Sequence, residues 1–353
     1  MDLGDWRSRI NNLDDEILHL LNQRAEAVLQ IGDLKRRQGA PSYVPERESE
    51  VLRRLTAASR GAFPSSGVEA VWREILSACR QLERPLTVAF FGPVATFTHQ
   101  AALNRFGSAA DYRPVRTIAE VFDDVEHGRV NQGVVPVENT TEGAVNVTLD
   151  RLIDADVTIV GEAYLDITQN LLSHAADLGQ IKRVLSHPQG LAQCRAWLAR
   201  NMPDVPTEEA TSTAAAAEMA AGDPTVAAIA SDLAGHRYGV PVLRAHIEDN
   251  QQNATRFLVI SRSPAGPSRR DKTSILFAMP NQPGALHRIL EPFARVGLNL
   301  TKIESRPAKH RPWDYVMFVD FEGHRDTPVV ADVLAETAER TVFLKILGSY
   351  PAA

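Results

Sequence analysis

Three sets of residues could do chemistry, and two of them are polar groups standing where a folding chain would ordinarily place apolar ones. The first is charged. Arg24, Lys35, Arg47, Glu48 and Glu83 fall on or beside the inward stripes of amphipathic helical segments. Charges in such places are costly unless paired or liganded. Two readings are open: a salt-bridge network joining Arg24 to Glu48 or Glu83, or a pocket for a compact anion. Lys35 returns nearly to the face of Arg24 and leans back toward it, as helical side chains do. Arg7 lies about 25 Å from Arg24 along the axis and about 100° round it. Only a paired antiparallel helix delivers it to the same pocket.

The second set is uncharged. Thr96 and Thr98 follow the apolar run 86–92, and Asn139 and Thr140 follow Val134, Val135 and Val137. Ser186 ends another such run, Gln193 lies on the helix after it, and Thr255 precedes the strand 257–260. Buried strands that end in hydroxyls and amides place them at the carboxyl edge of a sheet, where open α/β folds bind ligands. Such groups can orient a small polar ligand. The other reading is that Thr140 or Thr141 caps the next helix. Neighbours on a strand point to opposite faces, so of Thr255 and Arg256 only Thr255 is expected in the pocket. The third set is Asn281, Gly284 and Glu304. Gly284 opens a helix whose free N–H groups suit a carboxylate, and Asn281 and Glu304 suit an ammonium group. The alternative is an ordinary helix start and a surface charge.

The elements that position these residues follow from periodicity. At 353 residues the chain needs more than one core. Trp6, Ile10, Leu13, Ile17, Leu20, Ala27, Ile31 and Leu34 form a stripe along one helix of roughly 45–50 Å. It cannot bury that stripe alone, which points to a second copy of the chain. Gly39-Ala40-Pro41 stops it. A helix over 45–59 turns Val51, Leu52 and Leu55 inward, and one over 67–84 turns Val68, Val71, Trp72, Ile75, Leu76, Cys79 and Leu82 inward. From 86 onward strands and helices alternate in two lobes, which argues for a mostly parallel sheet. In the second lobe Ser212 or Thr213 caps an alanine-rich helix over 214–221, and Ser231 caps the helix after strand 226–229. Residues 262–271 read as a linker. Strand 273–279, helix 284–296, strands 298–306 and 313–321, helix 328–340 and strand 342–348 give a βαββαβ, ferredoxin-like order.

The net charge of −6 argues against a nucleic-acid partner, and no run approaches the ~18 apolar residues of a membrane span. The start MDLGDWRSRI has no apolar h-region, so it does not read as a signal peptide. Cys79 and Cys194 form no CxxC, which suggests a reducing, cytoplasmic compartment and no cysteine metal site. No metal or cofactor is expected.

In type and spacing Arg7, Arg24, Lys35, Arg47, Glu48 and Glu83 resemble the chorismate-holding set of the all-helical chorismate mutases. In that family Arg7 serves the partner subunit's site. The resemblance implies a cofactor-free rearrangement of chorismate to prephenate, with Arg24, Lys35 and Glu83 among the catalytic groups. The best-known members carry Gln where this chain has Glu83. A carboxyl donates only when protonated, so mutase activity is expected to fall as pH rises through the pKa of Glu83, which burial should raise. GPVATFTHQAA, VPVENTTEG, SHPQGLAQC, AAIAS and NATRF look like the successive motifs of prephenate dehydratases. These imply a two-lobed fold similar to periplasmic-type binding proteins, conversion of prephenate to phenylpyruvate, and a site of Thr96, Asn139, Thr140, Ser186, Gln193 and Thr255. His99 and His187 are read as structural. Ala95 and Gly190 stand where many members have Gly and Ala, which puts little in doubt. PNQPGAL and KIESRP look like the signatures of phenylalanine-sensing ACT domains. They imply an L-phenylalanine site of Asn281, Gly284, Ala285, Leu286, Glu304, Ser305, Arg306 and Pro307 at a dimer interface, inhibiting the dehydratase.

The expected architecture is thus multidomain: an all-α helical mutase bundle (1–85), a two-lobed α/β periplasmic-binding-like dehydratase domain (86–262) and an α+β ferredoxin-like ACT regulatory domain (272–353). Over essentially the whole chain this resembles the bifunctional chorismate mutase–prephenate dehydratases of phenylalanine biosynthesis, working as a homodimer or larger homo-oligomer. The competing class is an amino-acid-binding regulatory protein built on the same folds. A preference for arogenate over prephenate stays open.

Overall fold

A computed structural model of the chain describes residues 2–39, 43–307 and 315–353. Ala40 and Pro41 of the expected helix stop, and residues 313–314 of an expected strand, lie outside the described residues. The chain divides into two compact units, one of residues 1–87 with 105–111 and one of residues 88–104 with 112–353.

The first unit is built from α1 (Leu3–Gln38), α2 (Pro45–Ala58) and α3 (Ser65–Glu83). Asp2 and Asp5 close a reciprocal capping box at the start of α1, and Gly39 ends it in the left-handed conformation with φ 65°. Gly32 is the buried residue of α1. A Cβ there would stand 3.2 Å from Glu83 Cγ, so glycine lets α1 and α3 approach closely. The face of α1 turned inward is therefore the one holding Arg24, Val28, Gly32 and Lys35. Trp6, Ile10, Leu13, Ile17, Leu20, Ile31 and Leu34 of the expected stripe are each about half exposed, in keeping with a stripe that one helix cannot bury alone. Val71 and Leu82 of α3, expected inward, are about half exposed as well, which corrects their placing.

Apart from Thr87, Arg105, Phe106 and Asp111, which belong to the first unit, the second begins with β1 (Thr87–Phe91), α4 (Phe97–Phe106), β2 (Asp111–Val115), α5 (Ile118–Glu126), β3 (Gln132–Asn139), β4 (Gly143–Ala144), α6 (Asn146–Asp154) and β5 (Thr158–Asp166). The chain then enters a second lobe, β6 (Asn170–Leu172), β7 (Arg183–Ser186), α7 (Pro188–Gln193), α8 (Arg195–Asn201), β8 (Thr207–Glu209), α9 (Thr213–Ala221), β9 (Val226–Ala230), α10 (Asp232–Tyr238) and β10 (Val242–Arg244). It returns to the first lobe as β11 (Ala254–Ser261). The strand orders are β2-β1-β3-β11-β5 and β10-β6-β9-β7-β8. The expectation of mostly parallel sheets is corrected here. β11 inserts antiparallel to both β3 and β5, and β6 is antiparallel to β9 and β10. A strand arriving from the other lobe is free of the crossover rule that keeps βαβ units parallel. The two crossing segments pair with each other: Ile167 N–H donates to the Asn253 carbonyl and Ile247 N–H to that of Gln169, both at 2.8 Å.

The C-terminal part contains β12 (Asp271–Ala278), α11 (Ala285–Arg295), β13 (Leu300–Pro307), β14 (Tyr315–Glu322), α12 (Pro328–Arg340) and β15 (Phe343–Pro351). Its antiparallel sheet runs β13-β14-β12-β15, the ferredoxin-like order. One face carries Ile275, Phe277, Val319 and Phe321 against Ile289 and Phe293 of α11. The other face is not solvated. Leu276, Phe318, Leu347 and Tyr350 share one apolar core with Val135, Leu149, Ile159 and Leu258 of the first lobe. β15 approaches β5 so closely that a Cβ on Gly348 would stand 2.1 Å from the Ile159 carbonyl oxygen. Among the described residues, no helix is long and apolar enough to cross a membrane.

Candidate active sites

In the helical unit a pocket of about 380 Å³ opens between the three helices. Arg24, Lys35, Arg47, Glu48, Arg80 and Glu83 line it. The pairing differs from the salt-bridge alternative: Lys35 Nζ meets Glu83 Oε2 at 3.0 Å and Arg80 Nε meets Glu48 Oε1 at 3.1 Å. Arg24 instead donates to Cys79 Sγ at 2.7 Å and lies over the Trp72 ring at 5.9 Å. The Lys35 contact gives Glu83 a cationic partner that its expected role as a proton-bearing donor did not include. Arg47 is at the mouth, exposed and paired with Glu50 at 2.6 Å. Arg7 lies on the exposed N-terminal half of α1, outside the pocket lining. Burial raises the Glu48 carboxyl above its ordinary range, opposed first by Arg80 and then by Arg105 and Lys35. The Tyr43 phenol is pushed up to about 12 by burial, with Arg105 opposing. With Lys35 paired to Glu83 and Arg80 to Glu48, Arg24 is in excess, which suits a carboxylate.

The second site is a cleft of about 430 Å³ between the lobes. One register decides what faces it. Thr255 stands opposite Asn139 across β11 and β3, and Arg256 stands opposite Glu138. Residues directly opposite share a face and successive residues alternate. Thr255 and Asn139 accordingly line the cleft, while Arg256 points away. Asn139 Nδ2 donates to Thr255 Oγ1 at 2.8 Å and to Asn253 Oδ1 at 2.9 Å. Its Oδ1 accepts from Thr141 N–H and Glu142 N–H at 2.9 and 3.1 Å. The amide is thus locked, and the Thr255 hydroxyl, used as an acceptor, keeps its proton for a ligand.

Thr96 and Gln193 also line this cleft. Gln169 Nε2 donates to Gln193 Oε1 at 3.0 Å, which turns the Gln193 NH₂ group toward the cavity. Two predicted residues do not reach it. Ser186 is fully buried and donates to the Ile229 carbonyl at 2.7 Å, spending its proton inside the second lobe. A Cβ on Gly190 would stand 2.4 Å from Ser186 Oγ, so the glycine here goes with that rotamer. Thr140 is exposed and latches the returning segment, bonding the Gln252 carbonyl at 3.3 Å and accepting from Ala254 N–H at 3.0 Å. His187 lines the cleft and accepts from Gln189 N–H at 3.3 Å. His99 stacks on Phe90 at 4.5 Å, and burial, then Arg237, lowers its pKa to about 4, so it stays neutral.

Sequence reasoning passed over Gln169, and it named Thr98 as a strand-end hydroxyl and Ser212 or Thr213 as a helix cap without assigning them to the cleft. Gln169 is 2% exposed, and its Oε1 has no hydrogen-bond partner among the described residues. Its signal was the polar run Thr168-Gln169-Asn170 between two apolar strands. Thr98 of α4, with Ser212 and Thr213 of α9, brings two helix N-terminal turns to the cleft. None of the described lining residues is lysine or arginine.

In the C-terminal part Asn281 and Gly284 are exposed on the turn before α11, Gly284 having φ 76°. Ala285 is buried and Leu286 partly so. β13 divides the other expected effector residues between two faces. Ser305 pairs in register with Met317, on the side of α11, and is exposed. Glu304 pairs with Phe318 and lies with Lys302 and Arg306 on the opposite side. Within one chain, then, the sheet separates Glu304 from the start of α11, because strand residues alternate. Lys302 Nζ meets Glu138 Oε2 at 2.6 Å, and Arg306 meets Asp150 Oδ1 at 2.8 Å. Pro307 is exposed at the strand end.

The chain matches the families described as chorismate mutase type II over residues 6–84, prephenate dehydratase over 88–265 and ACT domain over 273–339. A bifunctional chorismate mutase/prephenate dehydratase of Aquifex aeolicus is 48% identical over 356 residues, covering 100% of this chain and 98% of its own. The solved prephenate dehydratase of Arthrobacter aurescens in complex with L-Phe is 35% identical with TM-score 0.69, covering 75% of this chain and 90% of its own. A structure described as a novel type of quorum quenching acylase is 31% identical with TM-score 0.69, covering 76% of this chain and 98% of its own. Fold and sites together define a multidomain enzyme in which a mutase bundle, a dehydratase and a ferredoxin-like ACT domain share one polypeptide. Similarity to the Aquifex aeolicus protein runs through all three. The chain belongs to the bifunctional chorismate mutase/prephenate dehydratase family.

Proposed function

We propose that the helical pocket rearranges chorismate to prephenate and that the cleft converts prephenate to phenylpyruvate, with L-phenylalanine inhibiting the second step. The Thr255 hydroxyl carries this reading: Asn139 fixes its oxygen and its proton is left for the cleft. In the cleft reaction the ring carboxylate departs as carbon dioxide and its bonding pair enters the ring. The hydroxyl on the opposite ring carbon leaves, takes a proton and departs as water. Aromatisation drives the step. Thr255 hydrogen-bonds the leaving oxygen, and the proton that completes the water comes from solvent, because a threonine hydroxyl is too weak an acid to give up its own. Gln193 and the N-terminal turns of α4 and α9 hold the carboxylates through N–H donors, in place of cations.

In the mutase pocket Arg24 and Arg47 hold the dicarboxylate, and Lys35 and Glu83 face the ether oxygen, so the site works by orientation and charge stabilisation. A second copy of the chain covers the exposed α1 stripe and supplies Arg7. L-Phenylalanine binds between two copies of the chain, at Asn281, Gly284, Ala285 and Leu286 of one and at the edge strand β13 of the other, through Glu304, Ser305 and Pro307, the Arg306 side chain being taken up by Asp150. The ACT match and the L-Phe complex of the Arthrobacter aurescens relative support this. The free cysteines Cys79 and Cys194 fit a reducing cytoplasm.

The test is turnover by the full chain of chorismate and, separately, of prephenate, with Thr255→Val as the diagnostic variant. Valine keeps the shape and removes the donor. Dehydratase kcat/KM should fall by about 10²–10⁴-fold while chorismate turnover is retained. Near-native phenylpyruvate formation by the variant would remove Thr255 from the chemistry.

A further inference from the structure

Arg80 is outside the set of residues that resembles the mutase family, yet the pocket encloses it. It follows Cys79 on α3, and its side chain is 11% exposed. The guanidinium is held from several sides. Nη2 donates to the Phe106 carbonyl, and the group lies over the rings of Tyr43 and Phe106 at 5.3 and 5.9 Å. On the pocket side Nε stands 3.1 Å from Glu48 Oε1. Nε and Nη1 make no hydrogen bond among the described residues, so this packed guanidinium acts on Glu48 as an ion pair.

We propose that Arg80 is a positioning residue of the mutase site, holding Glu48 through Oε1 so that Oε2 remains an ionised acceptor for the hydroxyl of the bound ring. The inference rests on the reading of this pocket as a mutase site.

The surroundings of Glu48 give Arg80 this part. Burial pushes the carboxyl toward its protonated form, and Glu83 from α3 pushes the same way. Against them stand Arg80 from α3, Arg105, and Lys35 from α1, with Arg80 foremost. Glu46 and Tyr43 complete the ionisable groups on the near side. Of the three cations, Lys35 is already paired with Glu83. A protonated Glu48 would lose its strength as an acceptor, so the loss of Arg80 should be felt first at acid pH.

The experiment measures chorismate consumption against pH for the full-length wild type, Arg80→Met and Arg80→Gln, with turnover of added prephenate as the control for folding. Glutamine keeps an N–H donor for the Phe106 carbonyl without the charge, and so covers the case in which methionine unsettles the bundle. Both variants should move the acid limb of mutase kcat/KM upward by about one pH unit and lower it at least about tenfold near pH 6. Arg80→Lys should bring the limb part of the way back, and adding Glu48→Gln to Arg80→Gln should abolish it. A uniform loss at every pH with the limb unmoved, or no loss, overturns the proposal, because packing alone gives no titration signature. If the wild type consumes chorismate and the variants keep its limb, this role alone is lost. If the wild type leaves chorismate untouched, the mutase reading falls and takes this role with it.

Discussion

Replacing Lys302 and Arg306 together by methionine should leave L-phenylalanine bound but largely disconnected from the dehydratase cleft. Both residues lie on β13, beside the backbone read as part of the effector site, with their side chains turned to the first lobe. Both reach the elements behind the cleft: Lys302 meets Glu138, whose side chain turns to the opposite face from that of Asn139, and Arg306 meets Asp150 of α6. The side chains are 11% and 41% exposed in the first pair and 20% each in the second. Exposed pairs contribute about 0.2–1 kcal/mol. Partial burial puts each of these near the top of that range, so the two together are worth about 2 kcal/mol. At about 1.4 kcal/mol per tenfold, that is roughly a 30-fold ratio. Coupling between effector and substrate sites is usually about 1–3 kcal/mol, so two such pairs are enough to carry most of it. Prephenate turnover should be titrated with L-phenylalanine, and L-phenylalanine binding measured by calorimetry. The double variant should bind within about threefold of wild type yet keep most of its turnover at saturation. If it is inhibited as deeply as wild type while binding equally, the signal does not pass through these pairs.

Arg256→Met should destabilise the second unit by about 3–5 kcal/mol, because it strands buried carboxylates. Arg256 bonds Glu162 at 2.8 Å, Asp320 at 2.5 Å and Tyr350 at 3.1 Å; among the described residues Glu162 would keep Lys272, but the Asp320 carboxylate would keep only Ser274. A urea midpoint equivalent to a loss below about 1 kcal/mol would contradict this. His99 gives a pH dependence. Its folded pKa, about 4, lies below the ordinary 6.5, so in that window the unfolded chain binds the extra proton. Stability is complete above 6.5 and falls as pH drops toward 4. Unfolding midpoints at about pH 7 and pH 5 should differ more for wild type than for His99→Gln. Equal differences would mean that His99 does not titrate in this way.

The period-two alternation of strands made Thr255 and Arg256 separable before any coordinates, and the register of β11 on β3 shows why this matters. The same two pairs of residues put an amide and a hydroxyl on the cleft side, and two charges on the side of the C-terminal sheet. Helix stops, caps such as Ser212 and Ser231, and the βαββαβ order were legible because each rests on neighbouring residues. What stayed hidden depends on distant partners. The Ser186 hydroxyl is claimed by a carbonyl of β9, which local pattern cannot reveal. β11 is antiparallel because it comes back from the other lobe. The α1 stripe was correctly read as apolar, but the face that packs within the chain was chosen by Gly32, where α3 comes close. Glu304 matched a motif, yet alternation along β13 sets it on the far side of the sheet from α11.

The apolar layer shared by the first lobe and the C-terminal sheet limits how the two can be separated. Leu276, Phe318, Leu347 and Tyr350 are as much the lobe's lining as the sheet's own, and Gly348 leaves no gap for sliding between β15 and β5. The C-terminal domain is therefore not an appendage swinging on a tether. A chain cut ahead of β12 would bare an oily surface to water and would tend to aggregate.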